Sequence, residues 1–163
     1  MPDKSLTIEQ VLAMLAESEP KIAAHTAGLT PAELRTPLNQ GEWSANEVLA
    51  HLRSCADVGG NCIAAILAED RPTIRAVSPI TWIKSTDYLE LEFRPSLRSF
   101  ATQRSDLLAF LEPLPPEAWS RTATVKRSGK VLERTMMSYA QWLALHERVH
   151  ITEIERIAVA LRG

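Results

Sequence analysis

Apolar residues recur at three-and-four spacing over four stretches of the chain, and residues that start or stop helices bracket each stretch. The first opens at Thr7-Ile8-Glu9-Gln10, where Thr7 can cap free amides, Gln10 can reach back, and Leu6 can staple onto Val11. Ile8, Val11, Leu12 and Leu15 form its stripe. Pro20 either kinks this helix or restarts it, because the ring removes a donor and crowds the preceding turn. Ile22, Ala23, Thr26 and Leu29 carry the face onward. Gly28 to Gly41, with Pro31 and Pro37, reads as a connection holding one short helical turn at Pro31-Ala32-Glu33-Leu34. Ser44-Ala45-Asn46-Glu47 is a second capping box, and the helix it opens keeps Val48, Leu52, Cys55, Ala56, Ile63 and Ile66 on one side as far as Leu67.

The stretch from Asp70 to Thr86 has weak periodicity and two prolines, and is expected to cross over the bundle. Pro95 suits the first turn of a third helix, with Leu97, Phe100, Leu107, Leu108 and Leu111 at helical spacing, until Pro113, Pro115 and Pro116 stop it. Between Arg121 and Thr135, Thr122–Val125 and Val131-Leu132 flank Ser128-Gly129, a pair that turns a hairpin. From Met136 to Leu161 the apolar positions follow three-and-four spacing over seven turns, the longest helix in the pattern. These elements predict an all-α four-helix bundle, one domain over residues 1–163, with a small hairpin or irregular crossover before the last helix.

The chain has 163 residues, 45% hydrophobic and 23% charged, the average of a globular protein. No run approaches the ~20 apolar residues that span a bilayer, so no membrane partner is expected. Met1-Pro2-Asp3-Lys4-Ser5 carries an acid and no apolar segment behind it, which predicts a cytoplasmic protein. Eighteen basic and twenty acidic side chains are interspersed to a net charge of −2, without the basic stripe that nucleic acid requires. Cys55 and Cys62 fall on one face of one helix, about 10 Å apart along its axis, and read as small buried hydrophobes.

The last helix breaks its own rule. Its stripe runs from Leu143 toward Ile154 through His146, Glu147 and His150, where a plain bundle would carry leucines. Histidines four apart stack on one helical face, as a shared metal ion requires. His51 interrupts the stripe of the second long helix in the same way. An imidazole on a buried face must find a partner, since an unsatisfied polar group there costs about 1–3 kcal/mol. A divalent metal held by His51, His146 and His150 satisfies all three at once; separate bonds to backbone carbonyls or carboxylates are the alternative. His146-Glu147-Arg148-Val149-His150 also spells the H-E-x-x-H of zinc peptidases, but only thirteen residues follow His150 and none is a histidine to complete such a site.

Gly41-Glu42-Trp43-Ser44, running on to His51, resembles the tryptophan-serine helix start and first ligand histidine of the DinB-like, or YfiT-like, superfamily of bacterial metal-binding proteins. His146 to His150 resembles that family's paired histidines, and Arg104-Ser105-Asp106-Leu107-Leu108 its arginine-bearing third helix. The resemblance runs from about Leu29 to Ile157. It implies an up-down-down-up bundle, a three-histidine site with water at the open position, zinc or nickel as the metal, and a homodimer. It also implies an enzyme: a thiol S-transferase or isomerase using bacillithiol, mycothiol or glutathione, or alternatively a hydrolase using a metal-bound water. A non-catalytic, stress-linked metal-binding dimer is the rival.

Three neutral imidazoles leave a coordination position for water or substrate, and a metal there can present a thiolate or activate a water. In this scheme Glu147 is a candidate base or orienting carboxylate, against a surface glutamate edging the stripe. Arg104 is a candidate substrate-binding cation, against a structural ion pair to Asp57 or Glu147. Cys55, one turn beyond His51, could reach the metal, and His25 on the first helix could approach the site; Trp43, Trp82 and Trp142 are assigned to core or pocket walls.

Overall fold

The computed structural model describes residues 5–163. The chain start, on which the expectation of location partly rests, lies outside the described residues. In order along the chain stand α1 (Ile8–Thr26), α2 (Pro31–Leu34), α3 (Ala45–Ala68), β1 (Thr73–Arg75), α4 (Pro79–Trp82), a 3-10 turn (Ile83–Ser85), α5 (Phe93–Leu111), α6 (Pro116–Trp119), β2 (Thr122–Arg127), β3 (Lys130–Thr135) and α7 (Met136–Arg162). Both predicted capping boxes form: Thr7 with Gln10 and Ser44 with Glu47, each pair satisfying two free amides reciprocally. Pro20 lies inside α1, and the helix runs on to Thr26, where Ala27 and a left-handed Gly28 end it. The third long helix starts at Phe93, two residues before the expected proline.

Side-chain contacts fix the direction of each long helix. Leu6, Ser18 and His25 meet Gln141, Glu147 and Glu155 in ascending order, so α1 and α7 are parallel. Arg104 donates to the Leu15 carbonyl and Arg94 to that of Thr26, so α5 runs against α1. Arg53 pairs with Ser96 and Asp57 with Gln103, so α3 and α5 run together. The bundle is therefore up-down-down-up. Two long connections result: residues 69–92 carry the chain between the parallel α3 and α5, and residues 27–44 between the antiparallel α1 and α3. Asp57 holds the longer one in place by accepting from Trp82 Nε1 (2.9 Å), Tyr88 Oη (2.5 Å) and Gln103 Nε2 (2.5 Å).

The expected hairpin is present, with Ser128 and Gly129 both at positive φ, as the twist of a two-residue turn demands. Its partner β1 was not anticipated: Ile74 pairs in parallel with Val125, giving a sheet of order β1-β2-β3. Paired residues share a face of the sheet. Ala123, Val125 and Ile74 face the bundle and pack with Leu111, Trp119, Met136 and Leu143. By that register Arg127, Lys130, Leu132 and Arg134 lie on the same inward face, and Glu133 on the outer one. Among the described residues no helix is long and apolar enough to cross a membrane.

Candidate metal centre

Helices α3 and α7 cross tightly where Gly59 meets Leu143; a Cβ on Gly59 would stand 3.0 Å from the Leu143 side chain. Two turns toward the start of α3 from that crossing, His51 faces His146 and His150. Their ring centroids are 5.3 Å (His51 to His146), 4.9 Å (His51 to His150) and 4.6 Å (His146 to His150) apart. The three imidazoles predicted to converge are together, half-buried at one end of the crossing.

Burial and the repulsion of neighbouring rings keep His51 and His146 neutral, the form a metal needs. Burial, then His150 and His146, push the His51 pKa down to about 4. Burial and His150 lower that of His146, against the opposing pull of Glu147. His51 Nε2 and His146 Nε2 are 3.1 Å apart. Two metal–nitrogen bonds of about 2.0–2.1 Å at a tetrahedral angle hold their nitrogens roughly 3.3–3.4 Å apart, so both atoms aim at a common point. His150 places Nδ1 2.8 Å from Glu153 Oε1. That contact fixes the tautomer with the proton on Nδ1 and leaves Nε2 free to ligate. Glu153 was missed in the sequence, although its position three residues after His150 puts it on the same face.

Cys55 is closer to the site than its sequence reading suggested. Its sulfur is fully buried and lies 3.5 Å from His51 Nε2, and the donor atoms of His51, Cys55 and His146 all lie within 4.8 Å of one another. One sulfur bond of about 2.3 Å and one nitrogen bond give roughly 3.5–3.6 Å between the two donors, which matches. Burial, with Glu147 adding to it, pushes the free thiol up to about 12. Two tryptophans wall the site. Trp43 lies 5.0 Å from His51 and 6.2 Å from His150, and Trp142 stacks on His146 at 5.2 Å and 17°. Both are about two-fifths exposed.

Glu147 and Arg104 meet each other, forming the structural ion pair that the sequence offered as the alternative role for Arg104. Glu147 is fully buried, and its carboxylate accepts from Ser18 Oγ (2.7 Å), from Arg104 Nη1 (2.7 Å) and from Arg104 Nη2. Arg104 donates also to the Leu15 carbonyl at 3.0 Å. With its carboxylate filled by these donors and shut from solvent, Glu147 is an ion-pair partner tying α7 to α1 and α5. Arg104 is its counter-charge. His25 is not brought to the site; its Nδ1 lies 3.6 Å from Glu155 Oε2, two turns further along α7.

Residues 5–154 match the profile of the DinB superfamily. The chain belongs to the DinB superfamily. Among curated relatives, a protein of Geobacillus thermodenitrificans is 31% identical over 93 residues, covering 55% of this chain. The match spans about half of that relative, 51% of its length. A second, from Geobacillus kaustophilus, is 27% identical over 131 residues, 78% of this chain and 71% of the relative. Both are provisionally named metal-dependent hydrolases. YfiT from Bacillus subtilis, described as a probable metal-dependent hydrolase with an unusual four-helix bundle topology, shares the fold at a TM-score of 0.81 and 21% identity, over 99% of this chain and 93% of its own.

Proposed function

We propose that this DinB-superfamily protein is a metal-dependent hydrolase whose divalent metal, zinc or nickel, is held by His51, His146 and His150, with Cys55 in reach of the same point. The observation that carries this is the convergence of three imidazoles from two helices, two of whose Nε2 atoms stand 3.1 Å apart. Imidazole and thiolate donors suit borderline metals of this kind rather than magnesium or calcium. When bound, the metal supplies Lewis acidity for a water and for a carbonyl or phosphoryl oxygen.

The chain's own residues do the rest. Glu153 keeps the proton of His150 on Nδ1, so that ring presents Nε2. The buried Arg104–Glu147 pair anchors the helix turn between the two α7 histidines to α1 and α5, and so holds their spacing. Trp43 and Trp142 lie against the site's imidazoles, where a flat or apolar part of a substrate can pack on a ring. Thiol transfer, expected from the resemblance, has no counterpart in the relatives' names, and hydrolysis takes precedence.

The test is metal analysis of protein purified without a histidine tag, with His51→Ala and His146→Ala, followed by hydrolysis of chromogenic esters, amides and phosphate esters before and after chelation. One equivalent of metal and chelator-sensitive hydrolysis are expected, both lost in each variant. Wild-type protein without stoichiometric metal refutes the centre. A metal-loaded protein that consumes a low-molecular-weight thiol with an electrophile, and hydrolyses nothing, replaces hydrolase by transferase.

A further inference from the structure

Next to the metal centre, between the sheet and the start of α7, lies a cavity of about 1000 Å³. Its lining includes Arg75, Lys126, Arg127, Lys130 and Arg134, and neither an aspartate nor a glutamate. That asymmetry is unexpected in a chain whose acids outnumber its bases, 20 to 18. Strand alternation accounts for part of it. Arg127, Lys130 and Arg134 share the inward face of the hairpin with buried Val125 and Ala123, while the hairpin's acid, Glu133, lies on the outer face. Among the described residues none of the five cations has a carboxylate within ion-pair distance.

Cations left without counter-charge around one hollow create a field that draws in and holds an anion. Arginines add forked donors suited to carboxylate or phosphate, which is recognition chemistry rather than charge alone. The cavity is also placed to serve the centre. Trp142 lines it and stacks on His146, and Gly59, one turn beyond Cys55, forms part of its floor. From Tyr139 in the cavity wall to His146 is seven residues of α7, about 10 Å along the helix.

We propose that this cavity binds the anionic end of a small substrate, a carboxylate or phosphate group held by Arg127, Lys130 and Arg134, while the bond to be hydrolysed reaches past Trp142 toward the metal centre. The proposal rests on the hydrolase reading for its second half only. Anion binding by the cavity stands independently of turnover.

Calorimetric titration of the metal-loaded protein with glutarate, phenylphosphonate and neutral glutaramide tests it. One or both anions bind, weakening as salt rises, and glutaramide does not. The anion preferred identifies carboxylate or phosphate. Arg127→Gln/Lys130→Gln/Arg134→Gln weakens anion binding at least tenfold, and Arg134→Gln alone weakens it in the same direction should the triple variant fail to fold. Because an anion can also bind a metal directly, the titration is repeated on metal-free His51→Ala, where cavity binding persists. Loss of binding in His51→Ala, unchanged binding in the cation variants, or equal binding of glutaramide overturns the proposal, as does tighter binding of a single-stranded oligonucleotide than of either small anion. Ester hydrolysis without anion binding sinks the cavity and spares the hydrolase; anion binding without hydrolysis of any ester does the reverse.

Discussion

The Arg104–Glu147 pair allows a sharp test, because its two side chains are 5% and 0% exposed and each is the other's main partner. Arg104→Met leaves a buried carboxylate with only the Ser18 hydroxyl; Glu147→Leu leaves a buried guanidinium with only the Leu15 carbonyl. Breaking one partner of a buried pair costs about 3–5 kcal/mol, chiefly because a charge is stranded. For a domain of this size that corresponds to a fall of roughly 6–20 °C in Tm. The double variant Arg104→Met/Glu147→Leu strands nothing and replaces the pair by apolar groups of similar volume, so it loses less than about 2 kcal/mol or gains. Urea titration followed by circular dichroism reads all three. The expected signature is a coupling of several kcal/mol between the two sites, with the folded double variant still binding metal. Single variants losing under about 1 kcal/mol, or a double variant as damaged as the sum of the singles, would show that the pair does not hold these helices together. A stable Glu147→Leu protein that retains metal and loses only hydrolysis would restore Glu147 as a base.

Gly59→Ala forces a methyl to within 3.0 Å of Leu143; overpacking of about 1–3 kcal/mol exceeds the ~0.5–1 kcal/mol gained in helix propensity, so urea midpoints fall, and a midpoint that rises contradicts the tight crossing. The metal-free protein loses stability as pH falls from the ordinary histidine value of 6.5 toward the His51 value of about 4, because across that window the unfolded chain binds the proton that folded His51 refuses. His51→Gln flattens that part of the pH profile, measured as urea midpoints in the presence of chelator; an equal slope in both proteins is the contrary result. Cobalt-loaded protein shows the sulfur-to-metal absorption of a bound thiolate, lost in Cys55→Ala and retained in Cys62→Ala; its absence from wild type removes Cys55 from the metal.

What could be read from the sequence was whatever local spacing or capping encodes. The capping boxes at Thr7 and Ser44, the Ser128-Gly129 turn and the four-apart histidines act within a few residues, so their geometry is present in the string itself. His51 was legible too, as a polar break in an apolar stripe, though only the fold brings it across to His146. Strand β1 was not: three residues, exposed at Thr73 and Arg75, become a strand only because β2 offers them a parallel edge. Glu147 shows the same limit at the site. A glutamate between two histidines reads as a base, yet successive residues on a helix point about 100° apart, so a residue adjacent to a ligand faces elsewhere. Here it faces α1 and α5, where Arg104 supplies the charge that makes its burial tolerable. The residue that shares the ligand face is three positions on from His150, and it is Glu153 that meets the imidazole. For helical sites the spacing between a histidine and a carboxylate therefore carries more information than their adjacency, and the H-E-x-x-H string divides into two histidines facing α3 and one carboxylate serving the opposite seam of the bundle.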